Sequence, residues 1–124
     1  MTEVDHDRKD QLQKIKNLLV HGEELYAVYD LAGTGTGFLG ITDLRMMFTD
    51  LELDPNGKTN ISLPFTKITA VGTDDMGSIV FKCSKLSILA GRRTWEFEFS
   101  SNASGHKAYE LIMRNILQTE AVGI

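Results

Sequence analysis

The chain of 124 residues is poor in several features, and each shortage limits what the protein can be. It has a single cysteine, Cys83, so a disulfide within the chain is impossible, which agrees with a reducing compartment. No apolar run is long enough to cross a bilayer. The charged residues 1–10 lack the apolar core of a secretory signal, so we expect a cytoplasmic protein.

Positive charge is also scarce. Thirteen lysines and arginines stand against seventeen aspartates and glutamates, which gives a net charge of −4. A mildly acidic protein has no overall field that attracts nucleic acid, and membrane binding needs a local basic cluster. We therefore expect no nucleic acid and at most weak membrane association. With 42 % apolar and 24 % charged residues, the composition is that of one ordinary globular domain.

The apolar residues recur mostly at strand spacing and change to helical spacing near the end of the chain. Alternation and turn residues predict strands over 24–31, 38–42, 45–49, 60–65, 68–72, 78–90 with a bulge at 84–85, and 94–100. In the last strand, Trp95, Phe97 and Phe99 alternate with glutamates and are predicted to point inward. A terminal helix follows, whose apolar face carries Tyr109, Ile112, Met113 and Ile116. A helix that plugs an open barrel covers both its own apolar face and the edges of the sheet.

A second amphipathic helix is predicted before the strands. Leu12, Ile15, Leu18 and Leu19 recur at helical spacing within 7–20, with Asp5 or Asp7 as the cap. The chain thus divides into an N-terminal helical extension, 1–20, and a barrel domain with its capping helix, 21–120. The four apolar residues of the extension either lie on their own barrel or contact a second copy of the chain.

Several segments in this order resemble the short bacterial pleckstrin-homology-like domains of the YokE-like type. The resemblance spans 20–117. Its segments are Gly22-Glu23, Gly40-Ile41-Thr42-Asp43-Leu44-Arg45-Met46-Met47-Phe48, Ser62-Leu63-Pro64-Phe65-Thr66-Lys67-Ile68-Thr69-Ala70-Val71, Trp95-Glu96-Phe97-Glu98-Phe99 and the final helix.

This resemblance implies a mainly β fold, a seven-stranded antiparallel, partly open barrel capped by the C-terminal helix. The family has no catalytic motif to carry over, so the resemblance implies no enzymatic activity and no cofactor. Related bacterial domains assemble into rings, which favours a self-associating interaction or scaffold module that binds protein partners. Lipid-binding relatives carry lysines and arginines in the first hairpin loop. Here that loop, 30–37, has none, which predicts weak or no binding to inositol phosphates.

The best basic cluster in the sequence consists of Lys82, Lys85, Arg92 and Arg93, which are predicted to converge at one hairpin end. It is either a solubilising surface or a site for an anion or an acidic partner, and the second option makes a peripheral ligand- or membrane-binding module the alternative function.

Three motifs suggest a specific binding or catalytic site, but each has a simpler structural explanation. Residues 35–40 match a dinucleotide fingerprint, but a strand follows them where the fingerprint needs a helix, so a glycine-rich hairpin is favoured. Residues 52–57 imitate the start of a calcium loop, but Leu63 stands where the bidentate carboxylate is needed. Cys83 lies on an apolar face, which favours a buried hydrophobic role over that of a nucleophile. We therefore predict no metal site.

Overall fold

The computed structural model of the chain describes residues 4–32, 37–49, 55–56, 59–73 and 85–122. Within these ranges the elements are β1 (Asp5–His6), α1 (Lys9–Lys16), β2 (Leu25–Asp30), β3 (Phe38–Thr42), β4 (Arg45–Thr49), β5 (Asn60–Pro64), a 3₁₀ turn (Phe65–Lys67), β6 (Ala70–Thr73), β7 (Lys85–Ala90), β8 (Arg93–Glu98) and α2 (Asn102–Val122). Most of the glycine-rich loop, the calcium-like residues 52–54 and the predicted strand over 78–83, with Lys82 and Cys83, lie outside the described residues.

The strands form two sheets that meet along one side. The first has the order β1-β2-β3-β4-β5 and the second β6-β7-β8. An isolated antiparallel bridge between Leu31 and Phe99 joins β2 to β8, and the Ala32 amide donates to the Glu98 carbonyl over 2.8 Å. In the described residues no ladder joins β5 to β6, so the barrel is open there. The predicted partly open antiparallel barrel with its C-terminal helix is confirmed.

The core lies between the two sheets and α2. Phe97 is fully buried, and its ring packs edge-on against Phe48 with the ring centroids 4.9 Å apart. Phe99 is buried and Trp95 is packed against the cluster, so the predicted inward register of this strand is confirmed. From α2, Ile112 and Ile116 are buried in the same cluster, with Tyr109 and Met113 at its margin.

The first sheet is buried on both faces. The face away from the main core forms a second cluster of Ile15, Leu25, Val28, Phe38 and Met47, which α1 covers. A Cβ built on Gly40 would lie 2.9 Å from Cδ1 of Ile15, so the helix can sit this close only because β3 has a glycine there.

The helices differ from the prediction at their ends. Arg8 precedes α1 and makes no side-chain cap, and α1 spans eight residues rather than the whole of 7–20. The predicted caps, Asp5 and Asp7, bond to other groups. Oδ2 of Asp5 accepts a hydrogen bond from the Tyr29 hydroxyl, and Oδ2 of Asp7 accepts one from the backbone amide of Asp30. At the start of α2 the Oγ of Ser101 accepts from the amide of Ser104, so Ser101 is the cap.

Candidate partner-binding groove

The structure separates the described members of the predicted basic cluster, Lys85 from Arg92 and Arg93. The register pairs Lys85 with Glu98 and Ala90 with Arg93, so Lys85 and Arg93 lie at opposite ends of a six-residue ladder. Five residue steps along a strand separate them by about 17 Å. The Arg93 guanidinium lies 5.1 Å from the centre of the Trp95 ring. Arg92 is exposed in the turn, and Lys82 lies outside the described residues.

The four apolar residues predicted for self-association mostly pack on their own sheet. Ile15 is fully buried, and Leu12 and Leu19 are packed against the same cluster under α1. This is the first of the two arrangements that the sequence left open. Only Leu18, with 38 % of its surface exposed, is available to another molecule. Contact with a second copy stays a prediction, for which Leu18 and the neighbouring exposed Val20 are the candidates.

A buried ion pair fastens the segment that follows α1. Nε and Nη2 of Arg45 donate to Oε2 and Oε1 of Glu23, both over 2.8 Å, and Nη2 also donates to the Leu18 carbonyl. The Glu23 side chain has no exposed surface, and Thr42 Oγ1 donates to the same Oε2. These hydrogen bonds, that of Arg45 above all, lower the pKa of Glu23 from 4.5 to about 2. The pair has a structural role, because hydrogen-bond donors within the protein already occupy both carboxylate oxygens of Glu23.

A cluster of carboxylates lies where the N-terminal segment meets β2 and α2. Gln11 Nε2 and Ser100 Oγ donate to the two oxygens of Asp30, each over 2.7 Å. Nζ of Lys107 lies 3.4 Å from Oδ2 of Asp5. Burial and the Asp5 carboxylate raise the pKa of the neighbouring Tyr29 hydroxyl. In the described part of the chain no group of histidine, cysteine, aspartate and glutamate is arranged to hold a metal ion. These carboxylates fasten the N-terminal segment to the barrel.

A groove that sequence reasoning did not identify lies between β6 and α2. Residues 68–71 form one wall, and Met113, Ile116 and Leu117 form the other. Its volume is about 200 Å³. Leu117, which lines the groove, is 57 % exposed. The wall residues are predominantly aliphatic, so the groove suits one or two apolar side chains.

The strand beside this groove has one edge that no other described strand pairs with. In the described ranges β6 forms a ladder with β7 alone, and the side facing β5 carries no ladder. Ala70 and Thr73 are exposed, while Val71 and Gly72 are half-buried. An unpaired strand edge presents backbone N–H and C=O groups in the spacing that another extended chain can satisfy.

A second depression lies on the opposite face of the same strand. It is lined by Gly72, Thr73, Lys85 and Ser87 and has a volume of about 240 Å³. Gly72 pairs directly with Ser87, so the missing side chain of the glycine leaves the space. Ser87 carries a hydroxyl and Lys85 an ammonium on this face, whereas Thr73 pairs with the buried Leu86, which places its side chain on the other face.

Comparison with known proteins identifies the fold. No protein-family model matches the chain, and no curated protein is significantly similar to it in sequence. Similar solved structures include a DUF1696 family protein with a pleckstrin-homology domain from Shewanella loihica, with a TM-score of 0.60 at 17 % identity over 89 % of this chain and 94 % of that one. Another is a pleckstrin homology domain from Shewanella amazonensis, with a TM-score of 0.60 at 18 % identity over 90 % of this chain and 99 % of that one. The chain therefore has the bacterial pleckstrin-homology-like fold that the resemblance predicted.

Proposed function

We propose that this domain is a non-catalytic interaction module that binds an extended segment of a partner protein along β6, with apolar side chains in the groove beside α2. The observation that carries the proposal is the edge of β6 that has no partner strand among the described residues and lies directly beside an apolar groove. Backbone pairing along the edge supplies affinity, and alternate side chains of the segment supply specificity.

The size of the groove favours a peptide over a small molecule. Pockets that enclose a drug-sized ligand have volumes of about 300 Å³ or more, whereas this groove has about 200 Å³. One or two aliphatic or aromatic side chains of a peptide fit this volume. Among the described residues that line it there is no ionisable group, so these walls provide no general acid or base for catalysis.

The placement of the basic residues does not favour the alternative of a membrane- or ligand-binding module. A membrane surface attracts cations that lie on one face, and the hairpin ladder separates Lys85 from Arg92 and Arg93. In the described residues, no helix is long and apolar enough to span a bilayer.

The proposal is tested by selecting peptides from a displayed library of random nine-residue sequences on the intact protein. The tightest binder is synthesised and titrated into ¹⁵N-labelled protein. We expect the amide shifts to change in 68–73 and 113–117. Replacing Leu117 by Lys removes an apolar contact of about 1.5 kcal/mol or more, which corresponds to at least a tenfold loss of affinity.

Leu44→Lys is the matched control, because Leu44 is 54 % exposed in the turn between β3 and β4 and does not line the groove. It should leave the affinity unchanged. A binder whose shifts fall outside the groove, a binder indifferent to Leu117→Lys, or a selection that yields no binder would each contradict the proposal.

A further inference from the structure

We infer that the bound segment carries an aromatic side chain on the outer face of β6, laid over Gly72, at an odd separation from its apolar anchor in the groove. This inference rests on the proposed function and specifies the chemistry of the partner. Two observations support it: the strand does not itself require a glycine at this position, and the glycine leaves a depression of about 240 Å³ on the outer face of the sheet.

The described part of the fold does not explain Gly72 by its backbone or its packing. Its φ is not positive, and β6 pairs with β7 in unbroken register from Ala70 to Thr73, without a bulge. A Cβ built on Gly72 would have its nearest neighbour, the Cβ of Ser87, at 3.4 Å, which is an ordinary contact. A glycine inside a strand weakens it, and one that no bulge or bend explains marks a place that a ligand or another chain approaches closely.

The depression over Gly72 opens on the outer face of the second sheet. Ser87 lies between Leu86 and Ile88 on β7, both fully buried, so Ser87 points away from the core. Gly72 pairs with Ser87 and shares its face. Val71 pairs with Ile88, is packed against the core and lines the groove beside α2. The groove and the depression therefore lie on opposite faces of the same strand.

The odd separation follows from strand geometry. Residues directly opposite each other on two paired strands point to the same face, and successive residues of one strand point to opposite faces. In a segment paired to β6, the residue opposite Val71 therefore points to the groove, and the residue opposite Gly72 points over the glycine. The anchor and the covering side chain are one position apart, or three when the anchor lies two residues further along the segment.

The surroundings of Gly72 favour an aromatic ring over a charged group. Lys85, two residues from Ser87 on the same face of β7, already has an interaction within the chain, so the inference does not depend on its ammonium. An aromatic side chain opposite an edge glycine covers the backbone that the glycine exposes, and this arrangement stabilises sheets. Such a ring buries about 150–250 Å², and the polar tip of a Tyr or Trp stays in contact with water at this open site.

The test uses the peptide selected on the groove. We expect its consensus to contain Tyr, Trp or Phe one or three positions from the apolar anchor. Replacing that residue by Ala should weaken binding to the unmodified protein about tenfold. The same replacement should have no effect on binding to the Gly72→Val protein, in which the valine side chain occupies the depression while the groove shifts remain. Thr94→Val is the matched control, because Thr94 is exposed on the outer face of β8, two strands from the edge, and it should preserve the effect.

Nuclear Overhauser contacts provide a second measurement, which needs no protein variant. In the complex with the unmodified protein, the ring protons of the peptide should contact the α protons of Gly72 and shift them upfield. A groove-binding consensus without an aromatic residue at odd separation, ring contacts that miss Gly72, or an Ala replacement that acts equally on the unmodified and Gly72→Val proteins would each overturn the inference and leave the proposed function intact. A selection without any groove binder would overturn both.

Discussion

The contact between Ile15 and Gly40 allows a quantitative test of how α1 is attached to the barrel. Ile15 is fully buried, and a Cβ on Gly40 would approach its Cδ1, Cγ1 and Cγ2 to 2.9, 3.1 and 3.2 Å. Ile15→Ala should cost about 2–5 kcal/mol, because it removes buried methyl groups and leaves a cavity. Gly40→Ala should cost about 1–3 kcal/mol, because a β-branched side chain has little rotamer freedom with which to yield.

The double variant shows whether the two single variants lose stability through one shared contact or through two independent effects. The methyl group that Gly40→Ala introduces enters the space that the Ile15 side chain leaves, so the double variant should be more stable than the sum of the single losses predicts. Coupling between residues in contact is about 0.5–3 kcal/mol. Urea unfolding followed by the fluorescence of Trp95, the one tryptophan, measures each free energy, with a constant m-value as the check on two-state behaviour.

Gly72→Ala is the matched control on the second sheet, where the nearest atom would be at 3.4 Å. It should change the free energy of unfolding by less than about 1 kcal/mol, because nothing must be displaced. Single losses that add to within about 0.3–0.5 kcal/mol, or a Gly40→Ala variant as stable as the unmodified protein, would show that α1 does not sit on β3 as described.

Three further predictions concern the core, the ion pair and self-association. Phe97→Ala should cost about 3–5 kcal/mol in the same urea assay, and an unchanged midpoint would contradict the inward register of β8. The pKa of Glu23 is lowered from 4.5 to about 2, so its contribution to stability is complete above pH 4.5 and declines as the pH falls towards 2; a Glu23→Gln variant should lose this part of the acid dependence in unfolding measured from pH 6 to 2. If the protein self-associates through the exposed residues after α1, Leu18→Glu with Val20→Glu should reduce the mass measured by light scattering, and an unchanged oligomer would move the interface elsewhere.

The core was predictable because it follows from periodicity. Strict alternation fixed the inward face of β8, and helical spacing fixed the buried face of α2. Burial of the first sheet on both faces also has a sequence signal, since the residues of β3 form an almost continuous apolar run. By contrast, the parallel pairing of β1 with β2 involves two polar residues, Asp5 and His6, and no periodic pattern marks it.

The candidate site was harder to predict, because its walls come from segments far apart in the chain. The groove joins residues 68–71 to Met113, Ile116 and Leu117, and only the packing of α2 brings them together. The position of Lys85 at the far end of the hairpin, by contrast, can be predicted from the sequence. Once a two-residue turn at Gly91 and Arg92 is predicted, counting outward from it pairs Ala90 with Arg93 and Lys85 with Glu98.

The two strands that border the barrel opening are not equivalent, and the difference explains why binding is assigned to β6. On β5, Pro64 cannot donate a backbone hydrogen bond, and the side-chain Oγ of Ser62 accepts a hydrogen bond from Nη1 of Arg45 on β4. A proline on an edge strand discourages pairing with another chain. β6 contains neither a proline nor a charged residue, and the apolar wall of α2 stands beside it. The first sheet is covered by α1 on one face and by the core on the other. In the described part of the chain we therefore assign the extended partner segment to the edge of β6, where an apolar groove lies beside the strand.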